Sequence, residues 1–124
     1  MDIRRYITKY WNYIAAQKRE ELRMYFHDNA SIRWHETNEL FNVNDFLRVN
    51  CDYPGSWNSE VERIEQQGET LITVTRVWSK DSSFHVTSFF KMEDHRIMEL
   101  DEYWGEDGQA PQWRIDMNIG KPIR

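Results

Sequence analysis

Two ionisable side chains within strand-like segments of this 124-residue chain could carry out acid/base chemistry. His85 shares a face with Thr87, and an imidazole near its usual pKa can accept or donate a proton at neutral pH. Glu102 shares the more apolar face of its segment with Leu100 and Trp104, so we expect it to point inward, where loss of water raises a carboxyl pKa. We predict Glu102 and His85 as catalytic residues. Both residues could instead be structural. His85 could form hydrogen bonds on the sheet surface or at a dimer contact, and Glu102 could simply accept a hydrogen bond from a Trp indole or from Arg76.

Aromatic residues make up 15% of the chain, enough to line a binding site as well as a core. Trp34 and Glu36 share one face of a predicted strand, whereas His35 points the other way. With two further tryptophans they could form a wall around a flat or cyclic ligand. The alternative is that these side chains belong to the core. We predict the following ligand contacts: Tyr13, Trp34, Glu36, Phe46, Cys51, Trp57, Trp78 and Trp104.

Cys51 is the only cysteine, which excludes a disulfide within the chain and fits a reducing compartment. A thiol-dependent enzyme at Cys51 is a further alternative, although no basic neighbour in sequence is arranged to lower its pKa. The four histidines are scattered, without the spacing of a zinc site, so we predict no metal. The absence of a glycine-rich phosphate loop favours a protein that uses no cofactor.

Charge and hydrophobicity exclude two classes of partner. The net charge is −5, and no cluster of Lys and Arg could follow a phosphate backbone, so we expect no nucleic acid. No apolar run approaches the roughly 20 residues that span a bilayer. The first residues also lack an apolar signal core. We therefore predict a cytoplasmic protein without membrane contact, folded as one domain over residues 1–124.

The apolar periodicity divides the chain into helices followed by strands. Positions from Ile3 to Ile14 recur at helical spacing, with Asp2 as the N-cap. A second helix is predicted over 18–27, a strand over 30–36, and a third helix that begins at Asn42, three residues before Asp45. From Trp57 onward the period is two, which predicts an antiparallel meander with short connections. Its strands cover residues 57–66, 69–79, 84–93 and 96–104.

This order predicts an α+β fold with helices on one face of the sheet. Because a long antiparallel sheet twists, it would wrap around the helices and enclose a cone. The narrow end would be core, and the open end would be a pocket for a small ligand. The tail over 105–124 could cover the pocket, with Trp113 and Ile115 as anchors.

The element order resembles that of the nuclear transport factor 2-like (NTF2-like) superfamily, in its SnoaL-like bacterial branch. The stretches that carry the resemblance are residues 32–39, 85–90 and 102–104, with a tail over 110–114 and 119–120. One departure is the turn Asp94-His95, where many members have Asp-Gly. The resemblance implies an NTF2-like cone, in which three N-terminal helices pack on a strongly curved mixed or antiparallel sheet. It also implies a homodimer through the outer sheet faces and one Asp, Glu or His in an apolar cone.

We therefore predict a SnoaL-like protein that binds a small apolar or aromatic molecule in an aromatic-lined pocket. Catalysis there would be cofactor-free acid/base chemistry of the isomerase, dehydratase or hydrolase type. The alternative is a non-catalytic binding or dimeric assembly module. In that case side chains such as Trp113 would fill the cone, and the outer sheet would carry the partner contact.

Overall fold

The computed structural model describes residues 1–124 as four helices and a single six-stranded sheet. The strands lie in the order β2-β1-β6-β5-β4-β3, and only the β1–β6 pair is parallel. The predicted α+β architecture is confirmed. The elements are α1 (Ile3–Ala16), α2 (Arg19–Arg23), β1 (Phe26–Trp34), β2 (Glu39–Phe41), α3 (Val43–Cys51), β3 (Asn58–Gln67), β4 (Thr70–Trp78), β5 (Ser83–Glu93), β6 (Arg96–Glu106) and α4 (Gln112–Asp116).

Side-chain caps explain where the two longer helices begin. The Asp2 carboxylate accepts a hydrogen bond from the backbone N–H of Arg5, and α1 ends at Gln17 in the left-handed conformation. The Asn42 side chain accepts from the backbone N–H of Asp45 at the start of α3, as predicted. Helix α1 packs over β3 and α3 packs over β1, and both helices cover one face of the sheet, here called the inner face.

The turn between β5 and β6 consists of Asp94 and His95. Both residues have positive φ angles, 51° and 63°, and the flanking Glu93 and Arg96 pair directly. This is the geometry of a two-residue type I′ turn, in which Asn-Gly and Asp-Gly are favoured because glycine tolerates the left-handed region. The predicted meander is therefore closed by a tight turn although His95 stands at the usual glycine position.

Three local features differ from the sequence prediction or add to it. The second helix ends at Arg23, and β1 already begins at Phe26, because Phe26 is buried and pairs with Ile97 on β6. Strand β2 was not predicted, since three residues are too few to show alternation. The tail does not fill the cone: Trp113 is 64% exposed and Ile115 is 47% exposed.

The closed end of the cone is an apolar row that crosses four strands. Register pairs Ile32 with Leu100, Leu100 with Phe90, and Phe90 with Leu71, and all four side chains are buried. Tyr10 of α1 packs edge-on against Phe90 from the helical side. None of the helices combines the length and the apolar character needed to cross a membrane.

Candidate functional site

A polar row lies next to the apolar row on the inner face of the sheet. Thr73 on β4 pairs with Ser88 on β5, Ser88 pairs with Glu102 on β6, and Glu102 pairs with Trp34 on β1. Residues paired across strands place their side chains next to one another. The sheet register alone therefore brings one carboxyl group between a hydroxyl and an indole.

Glu102 is only 1% exposed. Its Oε1 accepts a hydrogen bond from Trp34 Nε1 at 2.9 Å, and its Oε2 accepts from Ser88 Oγ at 2.8 Å. Burial raises the pKa of Glu102 to about 7, because the lost hydration outweighs the hydrogen bonds, and the negative charge of Glu36 acts in the same direction. Glu102 can therefore exchange a proton near neutral pH.

Several buried polar atoms around this row have no hydrogen-bond partner within the chain. Thr73 Oγ1 belongs to the row, while Thr75 Oγ1 and Trp104 Nε1 lie one row nearer the open end. Tyr10 and Trp11 present a hydroxyl and an indole N–H from α1. All five atoms are shielded from solvent, so the region around Glu102 is a polar patch within the core.

A cavity of about 250 Å³ occupies the open end of the cone. Trp34 and Trp104 belong to its wall, so the cavity lies directly beyond the polar row that contains Glu102. The carboxylates of Glu36 and Glu39 lie on one side, and the backbone N–H of Trp104 donates to Glu36 Oε1 at 3.2 Å. The aromatic side chains of the wall are Trp34, Tyr53, Trp57, Phe84 and Trp104.

Of the predicted ligand contacts, Trp34, Glu36, Trp57 and Trp104 line this cavity. Trp78 does not, because Val77 takes the inner face of β4 and Trp78 points outward, where the Arg76 guanidinium lies 4.4 Å from its ring centroid. The predicted place of Trp78 in the aromatic wall is wrong.

Three other predicted contacts also lie away from the cavity wall. Phe46 is buried in the core against Phe26, and Tyr13 packs edge-on against Tyr25. Cys51 is half-buried at the end of α3. Burial raises the pKa of the Cys51 thiol, and a hydrogen bond and the charge of Arg19 offset this only in part, so the environment does not favour a thiolate.

His85 lies on the outer face, and the sheet separates it from Glu102. Its Nδ1 is bonded to an Asp107 oxygen, and its Nε2 lies 2.9 Å from Glu62 Oε1. The hydrogen bond to Asp107 raises the pKa of His85, as do Glu62 and the charges of both acids. The two carboxylates flank opposite edges of the imidazole and do not converge on one point. Consistent with this, the structure has no group of three His, Cys, Asp or Glu side chains placed to hold a metal ion.

Of the 14 residues of the cavity wall, sequence reasoning identified four and missed, among others, Phe84, Tyr53 and Glu39. Phe84 lies two residues before Val86 on the inner face of β5, so the alternation could have identified it. Tyr53 follows α3 in a loop, and Glu39 begins the short β2, so neither position carries a periodic signal.

Solved structures of known proteins share this fold. A ketosteroid isomerase-like protein from Kribbella flavida superposes with a TM-score of 0.78 at 21% identity, covering 94% of this chain and 87% of its own. An NTF2-like protein of unknown function from Burkholderia xenovorans gives 0.77 at 19% identity, with 97% and 94% covered. A SnoaL-like protein of the polyketide cyclase type from Shewanella putrefaciens gives 0.65 at 12%, with 88% and 82% covered.

These likenesses confirm the predicted NTF2-like cone, the fold found in ketosteroid isomerase-like and SnoaL-like proteins. At these identities they show the fold, and function must be argued from the site. No protein-family model matches the sequence, and no curated protein is significantly similar to it.

Proposed function

We propose that this protein binds a small molecule in the aromatic cavity and that Glu102 performs cofactor-free acid/base chemistry on it, of the isomerase, dehydratase or hydrolase type. One observation carries the proposal: a carboxyl group with a pKa of about 7 lies one row below the cavity. A group with this pKa is present in both protonation states at neutral pH, which suits a general acid or base. The ketosteroid isomerase-like and polyketide cyclase-type proteins of the same fold support this class of reaction.

The two tryptophans between Glu102 and the cavity would have different roles. Trp34 lines the cavity and donates its indole N–H to Glu102, so it links the wall to the carboxyl group. Trp104 also lines the cavity, and its buried indole N–H faces Glu102, where it helps to lower the carboxyl pKa against the effect of burial. Displacing the Trp104 ring would open a path from a ligand to Glu102.

A second candidate function is binding or dimeric assembly without catalysis. It is favoured by the position of Glu102, which is 1% exposed and does not itself line the cavity. In that case the role of Glu102 would be to hold the Trp34 ring in place. An assembly role would use the outer face, where Phe89 and Tyr103 are 37% and 48% exposed.

Exchange of carbon-bound protons in heavy water separates the two candidates. The protein would be incubated with a panel of small cyclic and acyclic ketones, and deuterium at the α-carbon would be measured by NMR. We expect the exchange rate to rise with pH through about 7, as Glu102 ionises. Glu102→Gln should lower it by about 10²–10⁴-fold, the usual contribution of a general base.

Glu99→Gln is the matched control, since Glu99 lies on the outer face of the same strand beside Arg33 and Lys91. It should leave the exchange rate unchanged. Equal rates in the wild type and in Glu102→Gln would contradict the catalytic proposal. Saturable binding of the ketones without any exchange would favour the second candidate.

A further inference from the structure

The wall of the cavity is a nearly continuous aromatic belt. Consecutive ring centroids are 6.0 Å apart between Trp34 and Trp104, 6.2 Å between Trp104 and Phe84, and 6.1 Å between Phe84 and Trp57. Tyr53 completes the belt at 5.4 Å from Trp57. Aromatic rings carry partial negative charge on their faces, which attracts cations within about 6 Å of the centroid, most strongly at tryptophan.

The indole N–H groups, which form the positive edges of these rings, are hydrogen-bonded within the protein or buried. Trp34 donates to Glu102, and Trp57 donates to the carbonyl oxygen of Pro54 at 3.0 Å. The Nε1 atom of Trp104 is buried. The belt therefore offers ring surface to a ligand and does not offer the N–H donors that an anion would need.

Three neutral polar side chains of the wall, Gln17, Thr37 and Asn50, also direct donors to acceptors within the protein. Gln17 Nε2 donates to the carbonyl oxygens of Asn50 and Tyr53, at 3.0 and 2.6 Å. Asn50 Nδ2 donates to the carbonyl oxygen of Phe46, and the Thr37 hydroxyl donates to Glu39. What remains for a ligand is mainly acceptor oxygens.

The only charged side chains that line the cavity are Glu36 and Glu39. No Lys, Arg or His lines it, although the chain has 16 Lys and Arg residues. The hydrogen bond from the Trp104 backbone holds Glu36 beside the belt. The net charge of −5 adds a long-range attraction for cations.

We propose that the ligand of this cavity is a small organic cation, a protonated or quaternary amine with an apolar body. The cation would rest against the faces of Trp34, Trp57 and Trp104, with Glu36 and Glu39 as its counter-charges. This inference deepens the proposed small-molecule function and rests on it. A cation bound here also favours the ionised form of Glu102, because opposite charges stabilise each other at short range.

Three probes of similar shape and different charge test the proposal: choline, neutral 3,3-dimethylbutan-1-ol and anionic 3,3-dimethylbutanoate. Binding would be followed by the indole N–H resonances in two-dimensional NMR at low salt. Trp34, Trp57 and Trp104 report on the cavity, while Trp78 and Trp113, on the outer face and the exposed tail, serve as internal controls. We expect choline to bind about tenfold more tightly than the neutral alcohol, and the carboxylate to bind most weakly.

Glu36→Gln should reduce the preference for choline at least about threefold, as should raising the salt concentration, while Glu99→Gln should not change it. Equal or tighter binding of the neutral alcohol would overturn the cation proposal and leave the small-molecule function intact. If none of the three probes shifts the cavity resonances, the cation proposal fails, while the proposed function stands or falls with the exchange experiment on Glu102→Gln.

Discussion

The two faces of the sheet each hold a carboxyl group with similar partners and opposite pKa shifts. On the inner face, Glu102 accepts hydrogen bonds from Ser88 and from the Trp34 indole. On the outer face, Asp107 accepts from Ser83, also on β5, and is bonded to the His85 imidazole. Burial raises the pKa of Glu102 to about 7, whereas the hydrogen bonds and charges around Asp107 outweigh its slight burial and lower its pKa.

The contrast shows that two neutral hydrogen-bond donors do not keep a fully buried carboxyl group ionised. A serine hydroxyl and an indole satisfy the oxygens of Glu102, but neither supplies the positive charge needed to offset complete loss of water. Asp107 keeps much of its hydration and faces His85, whose own pKa is raised, as well as the charge of Arg76. A fully buried carboxyl group with neutral donors has a raised pKa and can transfer a proton near neutral pH. A partly exposed carboxyl group paired with a cation has a lowered pKa and stays ionised.

Of the variants considered, Glu102→Gln should change the pH dependence of stability most, because it removes the buried carboxyl group. The pKa of Glu102 is raised from 4.5 to about 7 in the fold, so the folded state holds more protons than the unfolded state between these values. The free energy of unfolding of the wild type should therefore fall by roughly 3 kcal/mol as the pH rises through that window and level off above it. Glu102→Gln should remove this slope. Urea unfolding at pH 4.5, 5.5, 7 and 8 measures it, and an unchanged slope in the variant would refute the assignment.

Removing the two serine donors one at a time should have a smaller effect on stability, and the two losses can be compared between the inner and the outer face. Ser88→Ala leaves one oxygen of Glu102 without a donor, so we expect a loss of about 1–3 kcal/mol of unfolding free energy at pH 8. The loss should be smaller at pH 5, where Glu102 is protonated. Ser83→Ala removes the corresponding donor from Asp107 near the surface and should cost less than about 1 kcal/mol. Equal losses in the two variants at pH 8 would show that burial does not distinguish the two faces.

Asp107→Asn should give the smallest change. The pKa of His85 is raised by its bond to Asp107, so the stabilisation from this pair is complete below the unfolded pKa of 6.5 and is lost as the pH rises through the folded pKa. The variant should lower the titration midpoint of His85 and cost less than about 1 kcal/mol near pH 6, because the pair is partly exposed.

The imidazole resonances of His85 in a pH titration measure this shift directly. Asp101→Asn is the matched control, since Asp101 contacts a different outer-face histidine, His35, at 2.7 Å. It should leave the titration of His85 where it is. An unchanged His85 midpoint in Asp107→Asn would mean that Glu62 alone sets it.

How far the sequence predicts this arrangement depends on which faces carry a clear pattern. On β6, Leu100 and Trp104 alternate with Asp101 and Tyr103, and that contrast placed Glu102 inward. On β4 no such contrast exists, because the buried face carries threonines while the outer face carries Ile72, Val74 and Trp78. Trp78 was assigned to the wall by its residue type, and the pattern of β4 could not show that it points outward.

Other parts of the site could not be predicted because their positions depend on long-range pairing. The continuation of β1 back to Phe26 requires β6 as a partner, and Phe26 looks like the end of a helix in its local context. Tyr53 reaches the cavity from a loop whose shape depends on the end of α3, where Gln17 holds the carbonyl oxygens of Asn50 and Tyr53. The cavity was predicted as a consequence of the fold, but two of its five aromatic side chains, Tyr53 and Phe84, were not.

The parallel contact between β1 and β6 also has a consequence for folding kinetics. It joins the Trp34 indole to Glu102, residues that are 68 positions apart in the chain, whereas β3, β4, β5 and β6 are linked by short turns. Closing so long a segment costs more chain entropy than forming the hairpins, so the meander should assemble before β1 joins it. The buried carboxyl group would then acquire its raised pKa only in the last step of folding, and a proton taken up from solution at that step would report completion of the cone.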